Sequence, residues 1–406
     1  MITDPSRAAQ RRLKVGYLVL EGLNSLATVY YFYYLYFFME RRHGFGGGAN
    51  LALAALNGGL YMVFAWGAGR FAQRFGYYTA LKIGFATMIA GLALGSGAGS
   101  ALTQIISTGV IILGMSFTWP TLEAMVSEGE SRAGLQHMLG VYNVVWAATA
   151  AVSYFAGGAL INRLGLSSLF YLPAAVHLAQ LVLVFFLEAR AAQLAGRAEA
   201  RGGGGLAAPV PVPHPLPPGG ADKFLRMAWL ANPFGYIAIN TLLAAMPGVA
   251  QRLGLSLTMV GLCCSVWCFA RLGAFWVLWR WTGWHYRFRW LLAAFVGLIG
   301  AFTVVLAVPS LPCFLLAQIV LGAGLGLLYY SSLFYSMDLS DAKGEHGGIH
   351  EAAIGFGNCA GPAVGAASLH FLPQYANSGV FAVSSLLVVG LALLVSIQLR
   401  PLRSPG

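Results

Sequence analysis

The sequence predicts an all-α membrane protein, with twelve transmembrane helices in two pseudo-symmetric six-helix bundles. Three observations predict it: an apolar composition, a series of long apolar segments, and a Gly- and Pro-rich stretch in the middle of the chain. Of the 406 residues, 58% are hydrophobic and 9% are charged, whereas a soluble domain has roughly 25% charged residues. So few charges cannot cover a water-exposed surface, and most of the outer surface must therefore face lipid.

The apolar segments account for the number of helices. A run of about 18 apolar residues is long enough to cross a bilayer as a helix, and these runs lack the period-two alternation of barrel strands. The predicted segments are 16–40, 48–71, 79–97, 101–126, 138–161 and 167–187 in the first half, and 224–249, 257–279, 288–308, 311–336, 350–371 and 378–399 in the second. The first segment is too long for a cleavable signal peptide and lacks a small-residue cleavage site.

The middle of the chain divides the sequence into three parts. It contains four consecutive glycines at 202–205 and six prolines between 209 and 218. Gly leaves the backbone unrestrained and Pro removes its donor, so this stretch forms neither helix nor sheet. We therefore expect an N-terminal bundle at 1–187, a Gly/Pro-rich linker at 188–223 and a C-terminal bundle at 224–406.

A weak internal repeat supports two equivalent halves. A shift of 208 residues places Asn24 on Asn232, at matching depths of the first helix in each half, and Gly157 on Gly365. Two six-helix repeats in the same orientation, with a binding site between them near the middle of the membrane, are a recurrent plan of transporters.

The basic residues predict the orientation. Nineteen of the 24 Lys and Arg residues lie on the side that holds both termini and the linker. The other side has only Arg41, Arg42, Arg163 and Arg252, and Arg271 lies inside a segment. Cytoplasmic loops are enriched in Lys and Arg, so we expect the termini and the linker to be cytoplasmic, in a bacterial-type inner membrane. The same rule accounts for the net charge of +11 without a nucleic-acid partner.

The loop after the second segment carries a known pattern. It has Gly69, Gln73, Arg74 and Gly76 at the spacing Gly-x-x-x-Gln-Arg-x-Gly. This resembles the motif Gly-x-x-x-Asp-Arg-x-Gly-Arg-Arg of the major facilitator superfamily, although Gln73 replaces the acid and two tyrosines replace the final basic pair. The resemblance implies a transporter that works by alternating access, not an enzyme, and one that functions as a monomer. Its acidic gate latch is missing here.

Three ionisable residues are candidates for proton coupling, because an ionisable side chain inside a membrane is costly and usually functional. Glu21 lies about one and a half turns into the first segment. A carboxyl group in an apolar cavity can exchange a proton near neutral pH, and the resemblance to drug/proton antiporters implies such a role for an acid in this helix. His350 and Glu351 open the eleventh segment and form either a proton relay or a solvated helix start.

Arg271 is the only basic residue deep in a segment. It either binds an anionic substrate, pairs with Glu21, or extends to the membrane surface. Asn232, Tyr236 and Asn240 recur at helical spacing along the seventh segment, so this polar face must turn inward, as a cavity wall or as a contact between helices. The remaining cavity candidates are polar or aromatic residues of other segments: Asn24, Asn57, Tyr61, Trp119, Asn143, Trp146, Tyr329, Tyr330 and Asn358.

These residues predict a secondary transporter for a small organic molecule, with protons as the coupling ion. The resemblance favours export of a drug-like molecule or metabolite. Arg271 instead suggests an organic anion, and the tyrosines of the tenth segment suggest a sugar, either of which would be taken up. A non-transporting sensor or a lipid-handling protein is the alternative of a different class. The sequence has no nucleotide motif, and its cysteines lack metal-ligand spacing with His, so no cofactor or metal is expected.

Overall fold

A computed structural model describes residues 5–130, 132–200, 220–339, 343–375 and 377–400, and every regular element within them is an α-helix. The Gly- and Pro-rich part of the predicted linker, 201–219, lies outside these residues. The helices are α1 (Pro5–His43), α2 (Gly47–Phe75), α3 (Tyr77–Ser96), α4 (Ala101–Ser127), α5 (Arg132–Leu164), α6 (Ser168–Ala200), α7 (Ala221–Arg252), α8 (Leu257–Cys264), α9 (Val266–Arg280), α10 (Phe288–Ala307), α11 (Leu311–Leu339), α12 (Lys343–Phe371) and α13 (Ser378–Leu399).

These helices match the predicted membrane segments, with α8 and α9 forming one crossing. Within the described residues, ten helical segments are long and apolar enough to span a bilayer by length and composition. The other two long helices are α1, which is rich in tyrosine, and α12, which is rich in glycine and polar residues. Both supply side chains to the interior of the protein, which explains their lower hydropathy.

Two helices extend well beyond the apolar segments. Helix α1 begins at Pro5 and α6 continues to Ala200, past the end of its apolar segment at 187. The added part of α6 consists mainly of Ala, Glu, Arg, Gln and Leu, which all have high helix propensity. Hydropathy marks where a helix leaves the lipid, and it does not mark where the helix ends.

The eighth crossing is broken at Ser265, which the sequence does not predict because the segment contains no proline. The Ser265 hydroxyl donates a hydrogen bond to the carbonyl oxygen of Leu262 at 3.2 Å. Serine side chains that bond back to the preceding turn compete with the helical hydrogen bonds and bend helices. This hydrogen bond lies at the interruption between α8 and α9.

Each half of the chain forms a bundle of six crossings. In the N-terminal half α1 packs on α4, α5 and α6, and α3 packs on α4 and α6. In the C-terminal half α7 packs on α11, α12 and α13, and α11 packs on α9 and α10. The two halves meet where α2 packs on α12 and where α5 packs on α8 and α9.

Three lysines join helix ends on one side of the protein. Lys14 at the start of α1 pairs with Glu130 after α4, and Lys82 of α3 pairs with Glu188 of α6 at 3.0 Å. Lys223 at the start of α7 donates to the carbonyl oxygens of Gln398 and Arg400 at the end of α13. We call this side the terminal end and the other side the opposite end.

Candidate functional site: a cavity between the two halves

A cavity of about 190 Å³ lies between the two halves. Four helices of the N-terminal half (α1, α2, α4 and α5) and four of the C-terminal half (α7, α9, α11 and α12) form its wall. The predicted site residues on this wall are Asn57, Tyr61, Trp119, Trp146, Tyr236, Asn240, Arg271, Tyr329, Glu351 and Asn358. The wall is therefore largely aromatic, with one acid, one base and several amides.

Arg271 is the only basic residue on this wall. Its side chain is 4% exposed, and its guanidinium carbon lies 4.5 Å from the ring centroid of Trp146 and 4.8 Å from that of Trp267. Arginine stacks favourably on aromatic faces. Among the described residues no carboxylate lies within 4.0 Å of it, and its Nε has no hydrogen-bond partner there. The cavity therefore contains a buried positive charge that lacks an acidic partner.

Glu351 is the only acid on the wall. The Tyr61 hydroxyl donates a hydrogen bond of 2.5 Å to Glu351 Oε2. Tyr61 belongs to α2 in the N-terminal half, and Glu351 belongs to α12 in the C-terminal half. This hydrogen bond therefore joins the two halves inside the cavity.

Three asparagines supply the amide groups of the wall. Asn240 of α7 donates to Asn358 Oδ1 of α12. The Asn57 amide, on α2, has no hydrogen-bond partner of regular geometry in the described chain. An unsatisfied amide in a dry interior is costly, so Asn57 is available to a bound molecule.

Other predicted residues lie away from this wall. Asn24 donates to Thr118 Oγ1 at 3.3 Å, between α1 and α4. Asn232 is 2% exposed and does not line the cavity. His350 packs against Tyr329, with ring centroids 5.8 Å apart.

Glu21 is fully buried and also lies off the wall. Neither of its carboxyl oxygens has a hydrogen-bond partner of regular geometry in the part of the chain that the structure describes. The Tyr142 phenol is nearby, and Glu123 and Glu351 are close enough for their charges to interact with it. Glu21 therefore lies in the helix packing of the N-terminal half and not on the cavity wall.

Comparison with known proteins identifies the family. The family sequence model of the Major Facilitator Superfamily matches residues 17–362 of this chain. The chain belongs to the Major Facilitator Superfamily. It is a multi-pass membrane protein and a secondary transporter for a small-molecule substrate. None of the curated proteins matches the sequence significantly.

Solved structures share this superfamily fold. The human organic anion transporter MFSD10 (TETRAN) superposes with a TM-score of 0.66 at 15% identity, over 97% of this chain and 100% of that one. A bacterial homologue of the human lysosomal transporter Spinster, inward-facing and occupied, gives a TM-score of 0.68 at 13% identity over 100% of both chains. Its inward-facing, unoccupied form gives 0.65 at 11% identity, over 97% of this chain and 96% of that one. At these identities the likeness shows the fold alone.

The superfamily loop motif forms the turn between α2 and α3. Gly76 ends one helix and begins the next with φ at +94°, a conformation that favours glycine. Gln73 and Arg74 are exposed, Gly69 is partly buried, and the Arg74 guanidinium lies over the Phe75 ring. The two central residues of the motif thus face away from the protein interior.

Sequence reasoning placed Glu21 and Asn24 of α1 at the site and missed the residues of α1 that line the cavity. Thr28, Val29, Phe32, Tyr33 and Tyr36 line the wall and recur at the three- and four-residue spacing of one helix face. The five tyrosines at 30–36 point in every direction around the helix, so the sequence does not distinguish the cavity face from the packed faces.

A second cavity of about 240 Å³ lies toward the terminal end. Asn143 and Tyr330, both predicted for the main site, line this cavity instead. Trp146, Phe275 and Tyr329 lie between the two cavities, with ring centroids 5.5 to 5.8 Å apart. This transporter therefore has two cavities, with an aromatic cluster between them.

Proposed function

We propose that this transporter carries a small monocyclic organic anion together with a proton. The anionic group of the substrate binds Arg271, and Glu351 carries the proton. The observation that carries the proposal is the buried guanidinium group on the cavity wall, which has no acidic partner within 4.0 Å in the described chain. Burying an uncompensated charge is expensive, and an anionic ligand offsets that cost.

The size and chemistry of the cavity support a monocyclic substrate. A cavity of about 150 Å³ accommodates benzene, so about 190 Å³ suits a single ring with an acidic substituent. Tyr33, Trp119, Tyr236 and Tyr329 provide aromatic faces against which a ring packs. Asn57 adds an amide that is free to bond a polar substituent.

The charges on the wall favour binding of the proton and the anion together. When Glu351 is ionised, its negative charge opposes an anion bound at Arg271. Protonation of Glu351 removes that opposition, so proton and anion bind cooperatively. An inward proton gradient then drives uptake of the anion. Among the functions that the sequence suggested, this argument favours the organic-anion symporter, while export is supported by the family resemblance alone.

Glu21 has a secondary place in this proposal. It is near enough to Glu351 for their charges to interact, but it does not line the cavity. A proton on Glu351 meets the substrate directly, whereas a proton on Glu21 acts only through neighbouring residues.

Transport by the purified chain in proteoliposomes tests the proposal. Radiolabelled benzenesulfonate is a suitable probe because it stays ionised and does not cross lipid by itself. We expect an inward proton gradient to drive its accumulation. Arg271→Gln should weaken binding roughly 10- to 100-fold, the effect of losing a charge-assisted hydrogen bond. Arg197→Gln, which changes an exposed arginine in the extension of α6, is the matched control and should leave transport unchanged.

Glu351→Gln separates coupling from binding. Glutamine still accepts the Tyr61 hydrogen bond but cannot carry a proton, so we expect exchange of benzenesulfonate to persist and accumulation driven by the gradient to stop. Equal transport by Arg271→Gln and the wild type would refute the anion site. Uptake of glucose, with no transport of monocyclic anions, would favour the sugar carrier, and scrambling of labelled lipid would favour lipid handling.

A further inference from the structure

The second cavity has the composition of a binding site. Its wall comes from α5, from α9 and the loop after it, and from α11. The polar members of the wall are Gln136, His137, Asn143, Thr282 and His285. Aromatic side chains complete the wall, among them Trp279 and Phe334. The cavity thus combines aromatic faces with several hydrogen-bonding groups, as the main cavity does.

The orientation of the Asn143 amide is set by its neighbour. Asn143 is 1% exposed, and its Oδ1 accepts a hydrogen bond of 2.9 Å from Trp146 Nε1. The indole nitrogen can only donate, so the oxygen of the amide must face Trp146. The other amide atom, Nδ2, is buried and has no partner among the residues that the structure describes. An unpaired buried donor is costly and calls for an acceptor.

We propose that the second cavity is a second binding site for the same organic anion, with Asn143 Nδ2 donating a hydrogen bond to its carboxylate or sulfonate oxygen. This inference rests on the proposed function for the class of ligand. A volume of about 240 Å³ accommodates a single ring, by the comparison with benzene used above. The ring packs against Trp279 and Phe334, which line the cavity.

The two sites communicate through Trp146. Its indole nitrogen is bonded to Asn143, which lines the second cavity, and its ring lies against the Arg271 guanidinium in the main cavity. A ligand that binds the free end of the Asn143 amide therefore acts on the residue that holds Arg271 in place. The substrate occupies the two sites in series as it passes between the main cavity and the terminal end of the protein.

Binding stoichiometry tests the second site. Equilibrium dialysis of radiolabelled benzenesulfonate against the purified full chain in detergent should show two bound molecules per protein. Asn143→Asp retains the acceptor for Trp146 but replaces the donor with an oxygen, so the stoichiometry should fall to one. Gln193→Glu makes the same change from amide to carboxylate at an exposed position of α6 and should leave both sites. Arg271→Gln should remove the benzenesulfonate molecule that binds in the main cavity.

A second variant tests the same site independently, in case Asn143→Asp misfolds. Thr282→Trp fills the cavity from the opposite wall, and it should also reduce the stoichiometry to one. A single bound molecule in the wild type, lost in Arg271→Gln and unchanged in both second-cavity variants, overturns the second site and leaves the proposed function intact. A single molecule lost only in the second-cavity variants supports this site and refutes the main one. No binding to the wild type refutes both.

Discussion

Tyr61 and Glu351 form the hydrogen bond that connects the two halves inside the cavity. Both side chains are buried, at 4% and 7% exposure, so water competes little for either group. Leaving a buried acceptor without its donor costs about 1–3 kcal/mol. This pair therefore has a double role: it stabilises the contact between the two halves, and it involves the acid to which we assign the proton.

Tyr61→Phe should lower the free energy of unfolding by about 1–3 kcal/mol, because the buried Glu351 acceptor loses its donor while the packing of the ring is kept. Thermal unfolding of the purified protein in detergent measures the change. Tyr154→Phe is the control, since Tyr154 is equally buried and its hydroxyl has no hydrogen-bond partner of regular geometry among the described residues. Equal losses in both variants would contradict a specific role for Tyr61.

The Tyr61–Glu351 pair also shows how far sequence reasoning reached at the level of single residues. Both were candidates because polar groups inside membrane segments are few. Their mutual contact was not predicted, since they are separated by 290 positions in the chain. Asn24 and Glu21 satisfied the same criterion, and they lie in helix contacts instead of on the wall. A polar side chain must avoid lipid, and a packed interface meets that need as well as a cavity does.

At the level of helices, the contact between α5 and α8 depends on a missing side chain. Gly158 of α5 lies so close to the backbone of α8 that a Cβ atom there would be 1.9 Å from the carbonyl oxygen of Leu257. Real Cβ atoms essentially never come within 3.0 Å of another heavy atom. Glycine at this position therefore lets the two halves approach closely at the opposite end.

Gly158→Ala should destabilise the protein by about 1–3 kcal/mol, the usual effect of overpacking, because the methyl group meets backbone that cannot rotate away. Gly248→Ala in α7 is the control. Nothing lies within 4 Å of its added Cβ, and replacing Gly with Ala inside a helix stabilises by about 0.4–1 kcal/mol. Melting temperatures of the two variants should therefore move in opposite directions, and a parallel shift would count against the close contact.

The interruption at Ser265 illustrates what sequence reasoning missed at this level. Hydropathy predicts one apolar segment at 257–279, and the structure confirms a single crossing there. The interruption comes from a local hydrogen bond by one serine hydroxyl. Many serines in helices bond back to the preceding turn without a break, for example Ser116 to the Ile112 carbonyl at 2.8 Å, so the residue type alone does not predict an interruption.

Across the whole molecule, the polar contacts between the halves that lie outside the cavity occur at the opposite end in the described residues. Asn162 of α5 donates to Thr258 Oγ1 of α8 at 2.7 Å, and Gln251 of α7 donates to Glu40 of α1 at 2.8 Å. Toward the terminal end, the rings of His137 and Trp279 lie 5.4 Å apart. Alternating access requires the halves to rock against each other, so these exposed contacts must break and form during transport.

Joining the halves at Asn162 and Thr258 should stop transport and preserve binding. In Asn162→Cys/Thr258→Cys, a short thiol crosslinker should abolish benzenesulfonate flux, because the opposite end can no longer open. Binding at Arg271 should remain, and reduction of a cleavable crosslinker should restore flux. Each single-cysteine variant controls for the native cysteines, of which Cys313 is exposed. Undiminished flux in the crosslinked protein would refute rocking at this interface.

The sequence by itself determined that this is a helical membrane protein with twelve crossings and the superfamily motif, because each crossing needs about twenty apolar residues wherever it lies in the fold. Only the tertiary structure decided which polar faces converge. Two features required it: the tyrosine face of α1 that joins the main cavity, and the allocation of Asn143 and Tyr330 to a second one. Hydrophobicity places a helix in lipid, but rotation about its axis is set by its packing partners, which come from distant parts of the chain.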